Sequence, residues 1–244
     1  MSDQNTFKRY EMKYLINHNQ KRSLLQTMAR YMEGDAYGRS TICNIYYDTP
    51  DYLLIRRSLE KPIYKEKLRV RSYGIAKADS VVFMELKKKY KDVVYKRRVS
   101  VTEKEAMNYL NLGIPLAKQN QITNELQYVC AFYKKLQPTV FLSYEREAFY
   151  GKEDKELRIT FDENILWREE DLSLCTGVYG TPLLQEDMVL MEIKIAGAMP
   201  LWLAQLLSEN HIYKTTFSKY GTAYKEMLRQ KTGNRMGKGE RKYA

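Results

Sequence analysis

Several things are scarce in this chain of 244 residues, and each scarcity narrows its chemistry. There are three cysteines, Cys43, Cys130 and Cys175, an odd number at unrelated spacings that forms no metal-ligand pattern and suits reduced thiols in a cytoplasmic protein. The two histidines, His18 and His211, lie far apart without ligand-spaced neighbours, which points to surface or packing roles. No apolar run approaches the roughly 18 to 20 residues of a membrane span, and the polar N-terminus lacks the apolar segment of a signal peptide. No nucleophile triad is visible. Gly233-Asn-Arg-Met-Gly-Lys238 is no phosphate loop: it is one residue short, Gly239 stands where Ser or Thr is needed, and no strand leads into it. Acid is in deficit as well, with 30 Asp and Glu against 41 Lys and Arg, a net charge of +11 that favours polyanionic partners.

What the chain has is alternation. Strand patterns occupy 7–16, 42–48, 64–74, 81–89, 93–101, 139–149, 156–167 and 188–196, nearly all with one charged and one apolar face. Between them lie helical patterns over 17–32, with Asn17 or Asn19 as N-cap, over 51–59, over much of 103–135 after the capping box opened by Thr102, and over 200–208 and 218–229. A single domain over 1–230 is expected, followed by a basic, flexible tail over 231–244. The clearest strand is Tyr64–Gly74, where Lys65, Lys67, Arg69 and Arg71 share one face and Leu68 and Val70 the other. Four cations in a row repel one another, unless they spread into water or lie along a polyanion.

A small barrel ordinarily turns its apolar face inward. Here the helices carry apolar stripes able to cover the apolar sheet face, so the charged faces are free to line a central channel. The fold expected is therefore α+β: an eight-stranded antiparallel β-barrel tunnel with helices packed on the outside. Its lining would hold Arg9, Lys13, Lys65, Lys67, Arg69, Arg71, Lys87, Lys96, Arg98, Arg146, Arg158 and Lys194, with fewer acids, Glu11, Glu85, Asp162 and Glu192. Glu-x-Lys recurs at Glu11/Lys13, Glu85/Lys87 and Glu192/Lys194; on a strand this sets an oxygen ligand for a hard cation beside a base for phosphate oxygens. For any one strand a solvated face explains the charge equally well, and Glu85 and Glu192 alone read as ion-pair partners.

Lys13-Tyr14, Arg69–Gly74, Phe83–Lys87, Tyr95–Arg98, Tyr144–Arg146, Leu157–Asp162, Met191–Lys194 and Phe217–Tyr220 together resemble the triphosphate tunnel metalloenzymes (the CYTH-like superfamily), and within them the VTC-type polyphosphate polymerase domain, over roughly Phe7–Leu228. The resemblance implies a tunnel in which Lys13, Arg69, Arg71, Lys87, Lys96, Arg98, Arg146 and Arg158 grip a phosphate chain, with Tyr144 in the lining. It implies Glu192 as metal-binding carboxylate and Ser218 and Lys219 as contacts from the C-terminal helix. On charge and strand parity, Arg9 and Lys194 join the substrate-binding set and Glu11 and Glu85 the candidate metal ligands.

The activity implied is a metal-dependent phosphotransferase that moves the ATP γ-phosphate onto polyphosphate with Mn²⁺ or Mg²⁺. Such chemistry asks for positioned cations rather than a nucleophile. Hydrolytic tunnel enzymes typically carry Glu-x-Glu-x-Lys in the first strand, whereas Arg9-Tyr-Glu11-Met-Lys13 stands here, which leans toward polymerase. A tripolyphosphatase or nucleoside triphosphatase of the same fold is the alternative, and a non-catalytic binder of polyphosphate or nucleic acid a third. The partners expected are ATP and polyphosphate or triphosphate, and no nucleic acid. Eukaryotic polymerase chains add a regulatory domain and membrane spans; with neither expected here, association with a membrane protein stays open.

Overall fold

The computed structural model describes residues 10–91 and 93–239, with side chains as far as 232. In chain order the elements are β1 (Tyr10–Asn17), α1 (His18–Tyr31), β2 (Met32–Gly34), β3 (Ser40–Asp48), α2 (Leu53–Leu59), β4 (Tyr64–Tyr73), β5 (Val81–Tyr90), β6 (Val93–Thr102) and α3 (Glu103–Leu112). There follow α4 (Gln121–Tyr133), β7 (Gln137–Gly151), β8 (Arg158–Arg168), β9 (Thr181–Pro182), β10 (Met188–Ile195), α5 (Leu201–Glu209), β11 (Lys214–Thr215) and α6 (Lys219–Gly239). This is the expected α+β composition, and the pairings β1–β10, β1–β11, β10–β8, β2–β7, β4–β5 and β5–β6 are antiparallel. All eight expected strands are present as long strands. The added β2, β9 and β11 span two or three residues, too few for a period to show.

The described residues form two compact units: one takes those up to Ile42 with Ser143–Leu166 and Leu184–Phe217, the other Cys43–Leu142, Trp167–Leu183 and the residues from Ser218 on. In the first unit the strand order is β11-β1-β10-β8-β7, with β2 on β7. Tyr14, Ile16, Ile159, Phe161, Met191 and Ile193 turn the apolar sheet face to Leu24 and Met28 of α1 and Leu203, Leu206 and Leu207 of α5. In the second unit the order is β7-β3-β4-β5-β6, with β9 on β8. Its core joins Ile45, Tyr47, Leu68, Val70, Val82, Met84 and Leu86 to Ala106 of α3 and Leu126 and Val129 of α4. In each unit the helices thus cover the apolar sheet face, as the patterning requires.

Local signals hold where they carry a mechanism. Asn17 caps α1, its side chain accepting from the Gln20 amide at 2.8 Å, while the Gln20 side chain accepts from the Asn17 amide at 3.0 Å. Thr102 and Glu105 do the same for α3. That helix ends at Gly113 with φ +70°, left-handed backbone that glycine adopts without a Cβ clash. α6, by contrast, runs past Arg229 to Gly239, because Gly233 and Gly237 weaken a helix without terminating it. The helix covers 231–239, and 240–244 lie outside the described residues. The three cysteines are free thiols. No helix among the described residues is long and apolar enough to cross a membrane.

Candidate anion-binding and metal site

The second unit carries the basic face. Registry in the β4–β5–β6 meander sets Lys65 opposite Lys89, Lys67 opposite Lys87, and Arg69 opposite Glu85; Glu85 in turn faces Arg98, and Lys87 faces Lys96. Period two thus gathers these cations of three strands on one face, while Lys88 and Arg97 take the opposite face with the core residues and pair with Glu125 of α4. Burial and the nearby Lys89, Lys87 and Lys61 push the Lys65 ammonium below the ordinary lysine range.

Glu85 is the one acid these strands place on that face, and it is 2% exposed. Arg69 Nε and Nη2 lie 2.8 and 2.6 Å from its Oε2; Lys96 Nζ and Arg98 Nε lie 2.9 and 3.3 Å from its Oε1, and Arg71 Nε stands 4.0 Å from Oε2. Burial alone would raise its pKa, but Arg69, Arg71 and Lys96 more than offset that and bring it down to about 2. Burial and the neighbouring Arg71 and Arg69 lower Lys96, against the pull of Glu85. Arg98 stacks at 3.5 Å on the Phe83 ring. At the start of α6, Ser218 Oγ accepts from Lys67 Nζ at 3.0 Å and from the Gly221 amide at 3.2 Å, so it caps the helix while touching the row. Lys219 follows, half-buried.

The first unit holds a smaller mixed cluster. Arg146 of β7 makes a bidentate pair with the buried Asp162 of β8, at 2.5 and 2.6 Å. Its Nη2 is 3.7 Å from Glu192 Oε2, and its guanidinium lies 5.1 Å from the Tyr144 ring centroid. Burial would lower the Arg146 pKa, but Tyr144, Asp162 and Glu192 outweigh it and raise it. Lys13 of β1 stands 3.3 Å from Glu192 Oε1 and 3.6 Å from Glu11 Oε1 and donates to the Phe217 carbonyl at 3.0 Å; Lys194 reaches Glu11 at 3.9 Å. Arg158 lies 4.9 Å from the Tyr150 ring centroid.

The expected residues therefore fall into two groups, each assembled by its own unit. Lys13, Glu11, Tyr144, Arg146, Arg158, Glu192 and Lys194 belong to the first, and Arg69, Arg71, Glu85, Lys87, Lys96, Arg98, Ser218 and Lys219 to the second. Arg9 lies outside the described residues. Among the described residues no three His, Cys, Asp or Glu side chains are grouped closely enough to hold a metal ion. Glu11 and Glu192 lie on adjacent paired strands, 3.6 and 3.3 Å from Lys13 Nζ, and are the hard oxygen donors nearest that ammonium in the ion pairs of this cluster. Two carboxylates completed by substrate phosphate oxygens suit a small divalent cation. Sequence patterning missed the residues of β3 that hold the arginines: Arg69 Nη1 donates to Tyr46 Oη at 3.0 Å and Arg71 Nε to Asn44 Oδ1 at 2.9 Å. Alternation puts Asn44 and Tyr46 on one face of β3, but neither bears a charge, so strand pattern alone does not mark them as part of a basic site.

Solved structures share this architecture. A candidate adenylate cyclase from Bacillus halodurans matches with a TM-score of 0.55 at 13% identity, over 86% of this chain and 95% of that one. An adenylyl cyclase candidate from Hippeastrum, reported to have a dominant triphosphatase activity, matches with 0.54 at 14% identity, over 86% and 92%. A comparison with curated proteins gave no match. The fold is the triphosphate tunnel fold of CYTH-like proteins, a class of divalent-metal enzymes acting on triphosphates. The VTC domain model matches residues 8–228, and the chain belongs to that family.

Proposed function

We propose that this VTC-family chain transfers the terminal phosphoryl group of ATP to the end of a polyphosphate chain, releasing ADP and lengthening the polymer by one phosphate. The observation that carries the reading is the basic face of β4–β6, where a single buried carboxylate, Glu85, is matched against Arg69, Arg71, Lys96 and Arg98, with Lys65, Lys67, Lys87 and Lys89 continuing the row. Such a face suits a ligand with many equivalent anionic oxygens rather than one carboxylate or one phosphate.

In this reading Arg69, Arg71, Lys87, Lys96 and Arg98 bind phosphoryl oxygens, with Lys67, Ser218 and Lys219 at the start of α6. Lys13, Arg146, Arg158 and Lys194 do so in the first unit, and Tyr144 backs Arg146. Glu192 and Glu11 would hold Mn²⁺ or Mg²⁺, which would supply charge neutralisation on the phosphate oxygens. Glu85, surrounded by cations, acts as the counter-ion that holds them in place.

The test is to incubate pure protein with ATP and Mn²⁺ or Mg²⁺ and to resolve the products. Long polyphosphate with ADP is expected; no polymer with any divalent metal would overturn the polymerase reading. Glu192→Ala should abolish turnover while tripolyphosphate still binds, and surviving activity would remove Glu192 from the metal site. The dominant triphosphatase activity of the Hippeastrum protein, which shares the fold, supports a second reading: a metal-dependent tripolyphosphatase. Orthophosphate release from tripolyphosphate without chain growth selects it.

A further inference from the structure

Strand β3 alternates between two tasks. Cys43, Ile45 and Tyr47 point into the core of the second unit. Asn44, Tyr46 and Asp48, at the intervening positions, share the other face, and each engages a group of the basic site or its support. Asn44 accepts from Arg71 Nε at 2.9 Å and is itself held by donating to the Leu142 carbonyl at 3.0 Å. Tyr46 Oη accepts from Arg69 Nη1 at 3.0 Å, and its ring stacks on Tyr220 of α6 with centroids 4.7 Å apart and planes 24° apart. Asp48, fully buried, accepts from the Tyr220 hydroxyl at 2.9 Å and from the Leu54 and Ile55 amides at the start of α2 at 2.8 and 2.9 Å. Thr139 Oγ1 lies 3.0 Å from both the Tyr220 hydroxyl and the Tyr46 carbonyl.

The geometry at Arg69 shows why it needs this support. Its Nε and Nη2 both address Oε2 of Glu85, while Nη1 addresses Tyr46 Oη, so the two partners hold different sides of the guanidinium. Tyr46 Oη is a second fixed point and sets the plane of the fork. Tyr220, two residues beyond Ser218, ties the same Tyr46 to the helix start that meets Lys67. α6 seats closely there: a Cβ at Gly221 would stand 3.0 Å from Leu59 of α2 and 3.2 Å from Ser218.

We infer that β3 is a positioning strand: Tyr46 orients Arg69, Asn44 orients Arg71, and Asp48 with Tyr220 anchors the start of α6, so that the anion-binding groups of the second unit are presented as one rigid array. None of the three β3 residues touches the ligand. The inference rests on the anion-binding reading above, and one experiment separates the two.

Tripolyphosphate binding is measured by calorimetry on the full chain, with double-mutant cycles. Tyr46→Phe keeps the stack on Tyr220 and removes the acceptor for Arg69; it should weaken binding roughly tenfold. In an Arg69→Lys background, where the ammonium still faces Glu85 but the fork is gone, the same substitution should have no further effect. Asn44→Ala should be silenced in the same way by Arg71→Lys. The crossed pairs, Tyr46→Phe with Arg71→Lys and Asn44→Ala with Arg69→Lys, should stay additive. Loss of packing alone would weaken binding equally in matched and crossed backgrounds, and that outcome overturns the inference. Wild-type protein that fails to bind tripolyphosphate overturns the anion-binding reading instead.

Discussion

Glu85 shows how one residue can organise a surface of opposite charge. Four cations approach its carboxylate, and their combined attraction exceeds the cost of burying it. Its pKa in the folded chain, about 2, lies below the ordinary glutamate value, so its contribution to stability is complete above about pH 4.5 and drains away as pH falls toward 2. Glu85→Gln leaves the cations uncompensated and should cost about 3 kcal/mol at pH 7. The gap to wild type should close as acid protonates Glu85, which chemical denaturation at a series of pH values reads directly. A gap that stays constant down to pH 2 would show that packing, not charge, is lost. Added tripolyphosphate should recover part of the neutral-pH deficit, because it supplies the missing negative charge.

Among the elements, α1 and β3 show two ways a segment is held in its unit, by a cap with an apolar face and by a polar face. α1 covers the apolar face of the first unit, and its position depends on the Asn17–Gln20 capping box and on Gln20 donating to the Asn210 carbonyl at 2.9 Å. Asn17→Ala should lower stability by about 1 kcal/mol, seen as a lower denaturation midpoint with an unchanged slope. A change in slope would instead mean that the helix loss had altered the extent of unfolding. β3 works through its polar face, and the cycles described above test it. α6 joins both themes, since its cap Ser218 is at once a local helix signal and a contact of Lys67.

For the whole molecule, the net charge of +11 and the clustering of cations on β4–β6 would, on the proposed anion-binding reading, make ligand binding electrostatic at long range. Affinity for tripolyphosphate should fall roughly tenfold or more as salt rises from about 50 to about 200 mM, since the screening length shrinks from about 14 to about 7 Å over that range. Titration calorimetry at several salt concentrations checks this. An affinity insensitive to salt would point to a ligand held by something other than the basic face.

The alternation of Lys65, Lys67, Arg69 and Arg71 with Leu68 and Val70 was enough to orient β4, because period two admits one arrangement once an apolar face must be buried. The same reasoning placed Lys87, Lys96, Arg98, Arg146 and Glu192 on charged strand faces, and the caps of α1 and α3 followed from side-chain chemistry within four residues. Tertiary structure decided the rest. That Glu85 sits among four cations depends on the register of β5 against β4 and β6, which no single strand contains. That the chain builds two cores depends on which strands pair across long sequence separations. The contacts of Asn44 with Arg71, Tyr46 with Arg69 and Asp48 with Tyr220 join residues up to 172 positions apart. Local pattern determined which face each side chain takes; only the fold determined which side chains meet there, since a partner's identity is set by strand register and helix docking rather than by spacing along the chain.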